Sequence, residues 1–326
     1  MASGGHGSLR LAIVGATGAV GGQLLELIDE RAFPFSQLKL FSSEEHVGES
    51  IESGEQTRPV EVLTDPSELS DSDLVFLAVQ RSEAEAILGT AAGPIVVDLS
   101  AASQTPAGTP FVAPGFTTRE AVRDLSRYKL FHTPHPAALA LATIINALGE
   151  IPFCAATVML GASAIGHGAI SHLVAQSADL LSGKLDLQDD ERQSAFNAAP
   201  FPGAPELEKA LDAQVARLAG KAPQLVLQTV QIPILHGAAI SLFVANTADS
   251  GGWAAALRAA PGILLLENEE PPSVVDAIGQ EALLLSLAPG AAGSSLWCAL
   301  DNARRSALTA LWIAECLVPD AAEKLN

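Results

Sequence analysis

The stretch that constrains this chain most is a buried-strand pattern, Leu9-Arg10-Leu11-Ala12-Ile13-Val14, running straight into GATGAVG at 15–21. A helix is predicted from Ala19 to Arg31, because Leu24, Leu25 and Ile28 recur at helical spacing. Glycines at 15, 18 and 21 stand in G-x-x-G-x-x-G form between strand and helix. There they let a backbone approach a pyrophosphate at a helix N-terminus, whose free N–H groups and dipole favour anions. The bland alternative is a turn that only packs helix against strand. Nucleotide contacts are expected from Gly15, Thr17, Gly18, Ala19, Val20 and Gly21, with Ser42 and Ser43 at the end of the next strand.

That next strand, Leu38 to Ser43, ends where an adenosine ribose would lie, and Glu44-Glu45 follow. A 2′-phosphate asks for Arg or Lys at this place, whereas a plain ribose diol asks for an acid. Two carboxylates therefore disfavour NADP and leave NAD open. Read blandly, the pair is a solvated acidic turn.

Short β-rich runs at Val60–Leu63, Leu74–Val79 and Ile95–Ser100, with a helix over Glu83–Leu88, predict a doubly wound, mostly parallel sheet of Rossmann type. Phe111–Pro114 reads as a further strand and Thr117 as the cap of a helix reaching Leu125. After Leu148 the texture changes to long strands, Phe153–Ser163 and a pair over Leu225–Asn246, with later strands at Leu283–Leu287 and Ser295–Leu300. Helices are expected after Gly166-His167-Gly168, over Pro205–Leu218 and over Ala254–Ala260, and a polar stretch at Lys184–Gln193. Long strands with few helices suggest an α+β domain whose sheet has one face covered by its own helices and one left for a partner sheet. A chain of 326 residues suits two domains. Their expected bounds are 1–130 plus a returning C-terminal helix at 303–326, and 131–302.

The formal charge of −19 argues against nucleic acid and anionic membrane surfaces, both of which need a basic footprint. The longest apolar run, Pro136 to Gly149, is too short to span a bilayer. Met1 to Ser8 is Gly/Ser-rich without an apolar core and reads as a lead-in. Cys154, Cys298 and Cys316 sit in apolar patterns without metal-like spacing, which fits buried free thiols in a reducing cytoplasm.

At the border of the two halves a strand, Lys129 to His132, hands over to a helix, Ala137 to Leu148, through Thr133-Pro134-His135-Pro136. Strand-to-helix turns at such borders are where α/β enzymes place nucleophiles. No Cys, Ser, Thr or Lys directly follows this Pro-His-Pro.

With these segments lined up, the chain resembles the aspartate-semialdehyde dehydrogenase family over nearly its whole length. The resemblance is carried by GATGAVG, the FSS turn at 41–43, IVVD at 95–98, TPFVAP at 109–114, the strand–turn–helix at 131–148, FNAAP at 196–200, IPILHG at 232–237 and LDN at 300–302. It implies a two-domain homodimer of a family that uses NADP to convert β-aspartyl phosphate to aspartate semialdehyde through a cysteine thioester. The same resemblance implies that the family's chemistry is missing here. Pro136 stands for the nucleophilic cysteine, Ala238 for the acid/base histidine, and Gln231 and Gln104 for the arginines that grip carboxylate and phosphate. Ala162 replaces a glutamine, and Glu44-Glu45 replace a basic pair, while Glu206 and Lys209 keep the family's spacing. His236, two residues before Ala238, would keep the face of a strand but sit about 7 Å away. Nucleophile-lacking Usg-type homologues are the branch it looks most like.

Three histidines, His135, His167 and His236, fall in segments that converge in the family, with Glu206 and Lys209 nearby. They read either as a new acid/base or metal pocket or, in the preferred reading, as hydrogen-bonded fillers of a vacated one; no metal is expected. His132 and His172 read as core or interface residues. The expectation is a non-catalytic dimeric binding or regulatory paralogue. The alternatives are an active NAD(P)-dependent aldehyde oxidoreductase with an unrecognised nucleophile, or an enzyme redirected to the histidine pocket.

Overall fold

The computed structural model describes residues 9–46, 48–54, 56–88, 93–100, 108–184, 192–220, 223–245, 250–267 and 270–318. They divide into two compact units, one drawn from Met1–Pro134 with Ser306–Asn326 and one from His135–Arg305.

The first unit runs β1 (Arg10–Val14), α1 (Ala19–Glu30), β2 (Gln37–Ser42), β3 (Ser50–Ser53), β4 (Gln56–Val62), β5 (Leu74–Leu77), α2 (Arg81–Leu88), β6 (Ile95–Asp98), α3 (Arg119–Asp124) and β7 (Leu130–His132). Its sheet has the order β3-β4-β2-β1-β5-β6-β7. Every pairing is parallel except β3 with β4. Alternation along β1 serves both faces. Leu11 and Ile13 pack with Leu24, Leu27 and Ile28 of α1 and with Leu311 and Ala314 near the C-terminus, while Ala12 and Val14 pack with Ala84 and Ile87 of α2. A sheet covered on both faces needs such near-continuous apolar strands.

The second unit begins at α4 (Pro136–Leu148) and continues through β8 (Phe153–Leu160), α5 (His167–Leu181), β9 (Ala199–Pro200), α6 (Ala204–Ala219), β10 (Gln224–Gln231) and β11 (Ala238–Ala245). It goes on through α7 (Trp253–Ala259), β12 (Ile263–Leu265), α8 (Val274–Ala277), β13 (Leu283–Pro289) and β14 (Gly293–Leu300) to the start of α9 (Asn302–Leu317), whose remainder lies in the first unit. The mixed sheet is ordered β12-β13-β14-β11-β8-β10-β9. One face buries Cys154, Ala156, Val158, Ile240, Leu242 and Cys298 against α4, α6 and α7. On the opposite face Val226 is 53% and Phe243 38% exposed. Those two flank Ala155 across the ladder, so they form one continuous apolar strip.

Several expectations need correction. Phe111–Pro114 forms no strand, only one bridge from Phe111 to His132, because the prolines at 110 and 114 remove ladder donors. Thr118, not Thr117, caps α3 by accepting from Ala121 N; the Thr117 hydroxyl accepts from Ala113 N at 3.4 Å. The β8 strand stops at Leu160, after which Ala162–Ala164 is a 3-10 turn. The domain boundary falls after Pro134 and not before Phe131, since β7 pairs with β6 in the first sheet. Short elements without a clear pattern, β3, β9, β12 and α8, were not foreseen. Of the polar stretch 184–193, residues 185–191 lie outside the described residues, as does Asn246.

Candidate functional site

In the first unit the glycines of the β1–α1 turn do different work. Gly15 has φ +86°, and a Cβ there would stand 2.4 Å from the Ala78 carbonyl oxygen. A Cβ on Gly21 would stand 2.1 Å from the Gly15 oxygen. These two are required by packing alone. Gly18 is different: its Cβ would meet only the Gly15 oxygen, at 3.3 Å. Gly18 is also the N-cap of α1, with no side-chain cap and no acidic residue in the first turn. The helix start therefore keeps its N–H groups and dipole for an anion, and the bare Gly18 leaves room for one. Thr17 and Ser42 join the turn to the end of β2 through their hydroxyls. Ala19 and Val20 are half-buried beside them, and Ser43 is exposed. Glu44 and Glu45 follow in an exposed 3-10 turn, in which His46 Nδ1 pairs with Glu49 Oε2 at 3.1 Å.

Asp98 and His132, the last residues of β6 and β7, form a buried pair with Nδ1 to Oδ2 2.7 Å. Sequence reasoning placed His132 among core residues but missed its partner. Only the strand order makes the two neighbours.

In the second unit the border turn opens α4, whose first turn carries no Cys, Ser, Thr or Lys. Pro136 is buried at the first position of α4, where its missing N–H is tolerated. His135 is the N-cap: Ala137 N donates to its Nδ1 at 3.1 Å, and its own N–H donates to Gln214 Oε1 at 2.7 Å. Burial pushes the His135 imidazole down to about 4. As a cap acceptor the ring is held neutral and committed to the helix.

The other sequence candidates are spread out in character. His167 opens α5 and is exposed, as are His172 on the same helix and His236 in the loop before β11. Exposure of His172 removes the core half of its core-or-interface assignment. Gln231 ends β10, 9% exposed, with Nε2 3.5 Å from Ser194 Oγ. Ala238 and Ala162 are fully buried. Gln104 lies outside the described residues. Glu206 and Lys209 are exposed on α6. The inward acid of that helix is Glu208, whose Oε1 accepts from Thr229 N at 2.7 Å and Thr229 Oγ1 at 3.2 Å. The IPILHG and LDN motifs prove to be one construction: Gly237, φ +89°, donates its N–H to Asn302 Oδ1 at 3.0 Å, and Asp301 accepts from Arg304 N and Gly279 N.

All three thiols are buried. Desolvation, aided for Cys154 by Asp212, pushes Cys154 up to about 11, and burial pushes Cys298 to about 12 and Cys316 to about 11. Such thiols hold almost no thiolate at neutral pH. Among the described residues no group of three or more His, Cys, Asp and Glu is placed to hold a metal, and no helix is long and apolar enough to cross a membrane.

Known proteins share this architecture. Residues 10–125 match the family described as semialdehyde dehydrogenase, NAD binding domain. A USG-1 protein homolog of Pseudomonas aeruginosa is 31% identical over 334 aligned positions, covering 95% of this chain and 98% of that protein. The aspartate-semialdehyde dehydrogenase of a Synechocystis species is 30% identical, with 95% and 97% covered. The solved structure of a probable aspartate-semialdehyde dehydrogenase from Pseudomonas aeruginosa is 30% identical and superposes with a TM-score of 0.81 over 95% of this chain and 98% of that one. Aspartate semialdehyde dehydrogenase II from Vibrio cholerae, 25% identical, superposes at 0.84 over 96% and 99%. With its glycine turn, its two sheets and its full-length likeness to these proteins, the chain belongs to the aspartate-semialdehyde dehydrogenase family.

Proposed function

We propose that this chain is a dimeric, cytoplasmic member of the family that no longer runs the thioester reaction and keeps its first unit for binding a dinucleotide. The observation that carries this reading is Pro136 at the first position of α4, where the resemblance expects the nucleophile. Covalent catalysis without a thiolate has no acyl carrier. Neither buried Cys154 nor the neutral, helix-capping His135 supplies one. No observation favours a metal or a joint acid/base role for His135, His167 and His236. The test is an assay of purified protein with aspartate semialdehyde, phosphate and either nicotinamide cofactor. No turnover is expected, and turnover in protein free of host enzyme overturns the reading.

The glycine turn fits a pyrophosphate because Gly18 leaves the start of α1 bare. Gly15 to Gly21, Thr17, Ser42 and Ser43 are the residues that would hold the nucleotide. Glu44 and Glu45 then select NAD over NADP, since a ribose diol can donate to a carboxylate and a 2′-phosphate is repelled by it. The assembly we infer is a homodimer joined through the open face of the second sheet. Burying a Val or Phe side chain contributes about 1.5–3 kcal/mol, and Val226 and Phe243 stand exposed there on each copy.

A further inference from the structure

Asp98 and His132 are not among the positions where the resemblance places catalytic groups, yet they form an enclosed polar centre. Both side chains are at most 4% exposed. A carboxylate only accepts hydrogen bonds, so Nδ1 carries a hydrogen, and in the neutral ring Nε2 then presents its lone pair. The other oxygen of Asp98 accepts from the Ser100 backbone N–H at 2.9 Å, which holds Ser100 beside the same carboxylate. Two atoms here are enclosed and meet no polar partner among the described residues: Nε2 of His132 and Oγ of Ser100. Native structures rarely leave such groups unpaired unless a water or a ligand completes them.

Their place in the sheet says which ligand group suits them. The strand order puts β6 and β7 on the side of β1 away from β2. A dinucleotide with its pyrophosphate on the turn after β1 and its adenosine toward β2 directs its nicotinamide across β5 toward β6. Strand spacing puts the carboxyl ends of β6 and β7 about 10 and 14 Å from that of β1. A small neutral group that carries one donor and one acceptor would satisfy both open valences.

We propose that His132 and Ser100, with Asp98 fixing the imidazole, form a subsite for the carboxamide of a nicotinamide dinucleotide. The amide N–H donates to Nε2 and the Ser100 hydroxyl donates to the amide oxygen. A carboxylate in place of the amide has no hydrogen for Nε2 and is repelled by Asp98. This subsite rests on the reading of the glycine turn as a nucleotide site, and the test separates the two. Calorimetry of the full chain compares NAD, ADP-ribose, which lacks the nicotinamide, and nicotinic acid adenine dinucleotide, which carries the carboxylate. The comparison is repeated on His132→Asn, whose amide nitrogen preserves the bond to Asp98 but offers nothing at Nε2, and on Ser100→Ala. The wild type should prefer NAD to the other two by roughly tenfold, the increment of one or two hydrogen bonds. Each variant should lose most of that preference while its affinity for ADP-ribose stays unchanged. Equal binding of NAD and ADP-ribose by the wild type, or a preference that survives both substitutions, overturns the subsite and leaves the glycine turn's role intact. So does a lowered Tm in the variants without any change in preference, which would assign the centre to a buried water. If none of the three ligands binds, the nucleotide reading falls and the subsite falls with it.

Discussion

Neighbouring glycines in the β1–α1 turn should respond to the same substitution with opposite signs. In Gly21→Ala the new methyl would stand 2.1 Å from the Gly15 oxygen, 2.8 Å from Ala16 Cα and 2.9 Å from Gly15 C, all of them backbone atoms. No side-chain rotation relieves that, so the turn must move away from the helix. Overpacking of this kind costs about 1–3 kcal/mol. One residue on, the methyl of Gly22→Ala meets nothing within 4 Å on an exposed helical position. There the gain in helix propensity stabilises by about 0.5–1 kcal/mol. The two variants should therefore differ by about 1.5–4 kcal/mol, read as urea midpoints at constant slope. Gly18→Ala, with its single 3.3 Å contact, should unfold near the wild type yet weaken NAD binding. If Gly21→Ala is as stable as Gly22→Ala, helix and turn do not approach as closely as the geometry of the β1–α1 turn requires. If Gly18→Ala binds nucleotide as well as the wild type, the bare helix start has no ligand role.

Four further outcomes follow. In calorimetry the wild type should bind NAD more tightly than NADP, and Glu44→Lys/Glu45→Arg should gain NADP affinity; a wild type that prefers NADP refutes the reading of that exposed turn. His135 is depressed from the ordinary 6.5 to about 4, so the unfolded chain binds the proton first. Stability from this group is complete above pH 6.5 and declines as pH falls toward 4, by up to roughly 3 kcal/mol; His135→Asn, still a good cap, should flatten that slope. Thiol titration should find Cys154, Cys298 and Cys316 slow in the native protein and reactive after denaturation, and a fast thiol at pH 7 would revive an active-cysteine reading. Light scattering should give a dimer mass, and Val226→Asp/Phe243→Asp should lower it toward a monomer; an unchanged mass in the variant places the contact elsewhere.

What the sequence determined by itself is the part of the protein governed by short-range regularities. A strand pattern, three glycines and a helix at Leu24, Leu25 and Ile28 were enough to announce the first sheet, and the structure places β1, the turn and α1 within a residue of those bounds. Pro136 at the start of α4 was likewise legible, because a proline at a helix start is visible in one dimension. Elements such as β9 and α8, two and four residues long, carry too few residues for a period to show. Tertiary structure decided whatever depends on partners distant in sequence. His135 is a helix cap held by Gln214, an arrangement 79 residues apart in the chain. Glu208, and not the spaced pair Glu206 and Lys209, turns inward to Thr229, because one step along a helix rotates a side chain by about 100° and spacing alone does not say which face is buried. The Asp98–His132 pair exists only because parallel pairing aligns the ends of β6 and β7. Strand order is a choice among topologies of similar local preference, settled by how all the apolar faces are covered at once, and no single stretch of residues contains it.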